Sequence, residues 1–215
     1  MTSPSRDSKP TLVLLVRHGQ TKTTGRVLPG RAPGLLLADA GRLEAAAAAE
    51  RIGRFKHVAA VYSSPMERAR ETAEPIAEAC GLELRIEPGL NECDYGRWTG
   101  ARLARLRRAP EWTVIQHHPS GFRFPGGESF TEMQTRITSA LGRLVSDHPG
   151  ATIIAVSHAD PIKTAVAQAL GIHLDLFQRI MISTGSVSAI ACHRTGPTVL
   201  TVNSLGGELA ALEAP

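Results

Sequence analysis

Two apolar runs that each stop at a histidine constrain this chain more than any other feature. Thr11-Leu12-Val13-Leu14-Leu15-Val16 leads into Arg17-His18-Gly19, and Thr152-Ile153-Ile154-Ala155-Val156 leads into Ser157-His158. Short, continuously apolar runs of this kind are the pattern of strands covered on both faces. In an open α/β sheet, ligands bind just outside the carboxyl ends of the strands, near the point where strand order reverses. Two such strands can bring both imidazoles and Arg17 into one crevice, a setting suited to an anion and a nucleophile.

Further apolar segments alternate with helical ones. Strands are expected over 11–16, 58–62, 82–86, 152–156, 186–192 and 198–203, and helices over 39–53, 66–79, 99–108, 129–147 and 160–170. Strand-helix alternation with short connections implies a three-layer α/β/α fold around a mostly parallel sheet. The last two strands are separated by Arg194-Thr195-Gly196-Pro197, so they should form a hairpin and make one strand antiparallel. A single domain is expected over 11–204, with terminal extensions at 1–10 and 205–215. Ser64-Pro65-Met66-Glu67 and Ser129-Phe130-Thr131-Glu132 read as capping boxes, and Pro75 should kink or end its helix. The stretches 20–38 and 110–128 are expected to be irregular binding loops.

With 215 residues and 42% apolar content, the chain can bury a sizeable core. Residues 1–10 contain Arg6, Asp7 and Lys9 and no apolar segment of the kind that targets secretion, and no run is long enough to span a bilayer. The expectation is a cytoplasmic protein without membrane partners. Cys80, Cys93 and Cys192 are odd in number and lack metal-ligand spacing, which fits reduced thiols and no bound metal. The net charge is +4, and the densest basic run is Arg102, Arg105, Arg107 and Arg108. It lacks interleaved aromatic residues for base stacking, so it reads as a solvated face that attracts anions rather than as a nucleic-acid site.

Phosphoryl transfer through histidine needs a neutral imidazole, cations on the non-bridging oxygens, and an acid for the leaving oxygen. His18 can be the nucleophile, because neighbouring arginines disfavour its protonated form. Arg17, Arg68 and His158 can surround the phosphoryl group with donors. Glu92, which follows the strand at 82–86 through Pro88-Gly89, can serve as the acid.

These residues lie in stretches that resemble the histidine phosphatase superfamily, the phosphoglycerate-mutase-like fold. Val16-Arg17-His18-Gly19-Gln20-Thr21 resembles its first motif and Ser63-Ser64-Pro65-Met66-Glu67-Arg68-Ala69 its second. Leu90-Asn91-Glu92 with Gly96-Arg97-Trp98-Thr99-Gly100 resembles the acid motif, and Val156-Ser157-His158 the last. Pro125-Gly126-Gly127-Glu128-Ser129 is similar to a loop of the phosphatase branch. Gly30-Arg31-Ala32-Pro33-Gly34 and Leu174 to Ile180 point to a bacterial phosphomutase or phosphatase subgroup.

The resemblance implies a two-step reaction without metal or cofactor on a small phosphorylated metabolite. His18 takes the phosphoryl group, Glu92 protonates the alcohol and then activates water, and Arg17, Arg68 and His158 hold the phosphate. Thr24 stands where the family usually has asparagine, and its hydroxyl can still donate, with shorter reach. Ala159 replaces the usual glycine after His158 and keeps a backbone N–H for phosphate. Glu92-Cys93-Asp94-Tyr95-Gly96 lacks the extra cation and histidine of the bisphosphate-dependent mutases. That departure favours a phosphatase over a mutase; an inactive phospholigand-binding protein is the reading from another class.

The other histidines, at 57, 117, 118, 148, 173 and 193, match no motif and read as surface or loop residues. Cys93 reads as packing, and Trp98 and Trp112 as core or loop anchors. Lys22, Arg26, Arg31 and Arg123 lie in loops that should border the pocket, where they read as solvated charges or as contacts to a second anionic group of the substrate. The apolar stretches are consistent with a homodimer without requiring one.

Overall fold

The structure, a computed structural model, describes residues 9–212. Six strands form one sheet: β1 (Thr11–Arg17), β2 (Val58–Ser63), β3 (Leu84–Ile86), β4 (Thr152–Ser157), β5 (Val187–His193) and β6 (Gly196–Ser204). Their spatial order is β3-β2-β4-β1-β5-β6. The first four pair in parallel, whereas β5 runs antiparallel to both neighbours. The sheet is therefore mostly parallel with one reversed strand, and the β5–β6 hairpin turns at Arg194-Thr195, as expected.

The helices are α1 (Asp39–Ile52), α2 (Glu67–Cys80), α3 (Leu103–Leu106), α4 (Pro110–His117), α5 (Phe130–Asp147) and α6 (Ala159–Ala169). Side chains on a strand alternate between faces, and β1 shows what this does. Leu12, Leu14 and Val16 pack with Ala48 and Ile52 of α1 and Ala73 and Ile76 of α2. Val13 and Leu15 pack with Ile137 and Leu144 of α5 and Ile162 and Val166 of α6. Both faces are thus covered, which is why β1 is apolar at every position. Buried alanines on α1 and α2 (Ala45, Ala48, Ala49, Ala69, Ala73, Ala77) suit the close packing of these two helices.

Several local expectations are corrected. Ser129 and Glu132 form a complete capping box, but Ser64 and Glu67 do not. Met66 is the N-cap of α2, without a side-chain cap; the Ser64 hydroxyl accepts from Met66 N–H rather than from Glu67 N–H, and it also meets His158. Pro75 does not end α2, which continues to Cys80 and closes on Gly81 in the left-handed conformation. Burial of Thr72, Ala73, Ile76 and Ala77 around Pro75 offsets the hydrogen bond that a proline cannot donate. The helix expected over 99–108 shrinks to α3, since Gly100 has φ +81° and interrupts it. Part of the expected loop 110–128 is instead α4, started by Pro110 at its first position.

Residues 1–8 and 213–215 of the expected terminal extensions lie outside the described residues. Residues 205–212 are more than an extension: Leu209 is buried in the α1–α2 side of the core. Arg51 of α1 donates to the carbonyls of Ser204, Gly206 and Gly207.

The loop leaving β1 is pressed against the start of α1. A side chain on Gly41 would overlap the Gln20 carbonyl oxygen, and one on Gly19 would overlap that of Gly41. Gly142, within α5, meets nothing within 4 Å. Gly41→Ala should therefore destabilise the fold by about 1–3 kcal/mol, the usual cost of overpacking. Gly142→Ala should stabilise it by about 0.5–1 kcal/mol through helix propensity. Urea denaturation midpoints check both signs, and an unaltered midpoint in Gly41→Ala would contradict the contact.

Candidate active site

Parallel pairing of β1 with β4 sets Arg17 opposite Ser157, so both strands deliver their histidines at the same level. The His18 backbone N–H donates to the Ser157 carbonyl at 3.0 Å. The two imidazole centroids lie 5.1 Å apart, edge to face. His18 Nδ1 is 2.7 Å from the Gly19 carbonyl. A carbonyl can only accept, so Nδ1 carries the proton and Nε2 keeps its lone pair. Arg68 Nε donates to that Nε2 at 3.3 Å.

Arg68 sits in the first turn of α2 and has no exposed surface. Its Nη2 donates to the Gly30 carbonyl at 2.8 Å. Arg17 donates through Nη1 to Ile182 O at 2.6 Å. Among the described residues, Arg17 Nε, Arg68 Nη1 and His158 Nδ1 are buried without hydrogen-bond partners. Buried polar groups are almost always paired, and the three side chains either neighbour the His18 imidazole or share its cavity, an arrangement that can cradle an anion. Thr72 ties the two motifs together: its hydroxyl accepts from Gly19 N–H and donates to Arg68 O.

His158 Nε2 is 2.8 Å from the Ser64 hydroxyl, and its Nδ1 is 4.0 Å from a Glu92 carboxylate oxygen. Glu92 is 6% exposed, and its Oε1 accepts from Cys93 N–H. His18, Arg17 and Glu92 open onto one cavity of about 610 Å³, which Thr24 and Ala159 also line. Thr24 Oγ1 accepts from Thr21 N–H at 2.9 Å and lies 3.0 Å from Thr21 Oγ1, so its hydroxyl is held within its own turn. Ala159 is the first residue of α6, where backbone N–H groups are free and the helix dipole favours an anion.

The histidine phosphatase superfamily (branch 1) model matches residues 13–205. The chain belongs to this superfamily. It is 35% identical over 205 residues to a bifunctional protein of Mycobacterium tuberculosis, a match covering 92% of this chain and 55% of that protein. The chain thus spans about half the length of the first of its curated relatives. A phosphoserine phosphatase of Hydrogenobacter thermophilus is 30% identical over 199 residues, 89% of this chain and 91% of that one. The fold is shared with a mycobacterial glucosyl-3-phosphoglycerate phosphatase, at a TM-score of 0.82 and 23% identity, covering 91% of this chain and 100% of that one.

Within this histidine phosphatase site, burial sets opposite protonation preferences. His18 is held well below the usual imidazole value of 6.5, first by desolvation and then by Arg68 and Arg17. His158 is lowered in the same way. The Glu92 carboxyl is pushed up from 4.5 to about 7 by burial and by the Asp160 charge, with Arg68 acting against them. Burial raises Cys93, so no thiolate competes as a nucleophile and its reading as packing stands.

Several residues of the site escaped the sequence reading. Arg136 of α5 grips both oxygens of Glu128 at 2.7 and 2.9 Å. It also donates to the carbonyls of Gly89, Asn91 and Glu92, clamping the backbone that carries Glu92. One arginine on an amphipathic helix gives no signal of this. Asp160, two residues past His158, accepts from the Tyr95 hydroxyl at 3.0 Å.

The four loop cations do not line the cavity. Arg31 is spent on Glu128 and the Glu92 carbonyl, and Arg123 pairs with Glu132. Besides Arg17, the cations on the wall are Arg107 and Lys163.

A carboxyl whose value rises on folding costs stability above that value and nothing below its unfolded one. As pH rises from 4.5, the unfolded chain releases the Glu92 proton first, so native stability falls until about pH 7. Glu92→Gln should therefore stabilise the fold at pH 8, by about 3 kcal/mol at most, and leave it unchanged near pH 4. Unfolding free energies at the two pH values check this; an equal effect at both would contradict it.

Proposed function

We propose that this chain is a metal-independent phosphomonoester hydrolase acting through a phosphohistidine at His18. The observation that carries the reading is the grouping of Arg17 Nε, Arg68 Nη1 and His158 Nδ1, buried and unpartnered, with the unprotonated Nε2 of His18, whose lone pair accepts a long hydrogen bond from Arg68 Nε.

The chemistry follows from those atoms. His18 Nε2 attacks phosphorus as the P–O bond to the alcohol breaks, and the Glu92 carboxyl gives its proton to the departing oxygen. Glu92, now a carboxylate, takes a proton from water as the water oxygen attacks phosphorus, and the P–N bond breaks to restore His18. Arg17, Arg68 and His158 offset charge on the non-bridging oxygens in both steps. Ala159 N–H adds a donor at the α6 terminus. Thr24 is the weakest member of the set, because its hydroxyl must leave Thr21 to reach phosphate. With two arginines in the cradle, no metal is needed as electrophile. Hydrolysis is favoured over return to a second hydroxyl because Glu92-Cys93-Asp94-Tyr95-Gly96 lacks the extra cation and histidine of the bisphosphate-dependent mutases. The substrate is a small phosphorylated metabolite, and the compartment proposed is the cytoplasm. No helix among the described residues is long and apolar enough to cross a membrane.

Hydrolysis of 4-nitrophenyl phosphate should persist in EDTA and fall to background in His18→Ala. Turnover abolished by chelation, or unaffected by the substitution, would overturn the reading. For an alkyl phosphate, kcat/KM requires neutral His18 and protonated Glu92. It should stay level through mildly acidic pH and fall about tenfold per unit above pH 7, as Glu92 loses its proton.

A further inference from the structure

The cavity is far larger than a phosphoryl group requires. About 610 Å³ is within the range of sites that enclose an entire drug-sized ligand. Its walls also concentrate the chain's scarce aromatic residues. Of two Trp, two Tyr and five Phe in the sequence, both tryptophans, Tyr95, Phe124 and Phe130 line it.

Trp98 is braced by Phe122 and Phe124, with centroids at 5.8 and 5.6 Å, so its plane is fixed before any ligand arrives. Trp112, on α4, is only half-buried, and no described aromatic ring packs against it. A tryptophan without a ring partner, facing the same cavity, has a π-face to offer. Beside apolar residues such as Leu28, Ile115 and Ile182, one part of the wall is polar. Lys163 Nζ donates to Gln178 Oε1 at 2.9 Å and lies 3.5 Å from Asp160. Asp160, Lys163, Gln178 and Gln116 all line the cavity, and they present acceptors and donors together.

We propose that the alcohol half of the substrate carries a ring, with Trp98 and Trp112 as its binding residues. Polar substituents of the ring face Asp160, Lys163 and Gln178. The inference deepens the phosphatase reading and rests on it for the placement of phosphate against His18. An open-chain alcohol, such as that of phosphoserine or glycerol phosphate, would leave both indole faces uncovered. A heterocyclic base and a sugar ring share the required chemistry, a flat or C–H-rich face with polar edges.

Four esters of primary alcohols, which do not differ greatly in intrinsic reactivity, test this: adenosine 5′-monophosphate, glucose 6-phosphate, glycerol 1-phosphate and phosphoserine. At least one ring-bearing ester should exceed both open-chain esters by about tenfold or more in kcat/KM, within what one stacked ring contributes. The two ring-bearing arms tell base from sugar. Trp112→Ala should lower the preferred ester about tenfold more than glycerol 1-phosphate, and Trp112→Phe should restore most of the difference. The ratio between two substrates of one variant is insensitive to the fraction folded.

Open-chain esters equal to or better than both ring-bearing ones would overturn the proposal, as would equal losses on all esters in Trp112→Ala. Binding decides the case without turnover, because both tryptophans line the cavity and their fluorescence reports occupancy. Titration of His18→Ala with the same four esters should reproduce the preference, and equal affinities would contradict it. Ranked binding without turnover by the native protein would retire the hydrolase reading and keep this one.

Discussion

The pairing of β1 with β4 is the constraint on which the site depends. Their last residues, Arg17 and Ser157, are register partners, and the His18 amide closes the ladder on the Ser157 carbonyl. A slip of one residue would turn His18 to the opposite face of the sheet. Register is held by burial on both faces, with Val13 to Val16 and Ile153 to Val156 at most 2% exposed. The same packing that makes the core thus sets two imidazoles 5.1 Å apart. The Gly19–Gly41 approach then brings the loop after β1 down onto α1, and Thr72 joins that loop to Arg68.

Desolvation on this frame acts on groups of opposite charge type. Cationic histidine is disfavoured at His18 and His158, and anionic carboxylate is disfavoured at Glu92. One low-dielectric pocket therefore favours a neutral imidazole and a protonated carboxyl near neutral pH, the states that the proposed mechanism requires of its nucleophile and acid. Arg68 is fully buried and Arg17 partly so, and burying guanidinium charge is costly without an anion beside it. The Arg136–Glu128 clamp keeps the Glu92 backbone in position, and Asp160 contributes to raising its carboxyl. Both effects come from residues outside the attacking set.

Strand and helix order, the reversed β5 and the convergence of His18, Arg68, Glu92 and His158 were legible because each follows from local pattern. Apolar runs mark covered strands, and motif spacing marks what stands at their ends. What was not legible depends on contacts distant in sequence. Ser64 has the spacing of a helix cap, yet its hydroxyl accepts from Met66 N–H and meets a histidine 94 residues away. Arg136 looks like one charge on an amphipathic face until the loop of residues 89–92 folds against it. Arg31 and Arg123 were plausible pocket cations, but nearby carboxylates claim both, and Arg107 and Lys163 line the cavity instead. Trp98 does anchor a loop, as its composition suggested, and it also faces the cavity, which only the tertiary arrangement reveals.

The central claim is that the phosphoryl group passes through His18. It is tested most directly by mixing the protein with a ³²P-labelled phosphomonoester, quenching in alkali within the first turnover, and mapping the labelled peptide. The account predicts label that is stable in alkali, labile in acid and confined to the peptide containing His18. Label on a carboxylate or on another histidine, or a burst of product with no protein-bound label, would contradict it.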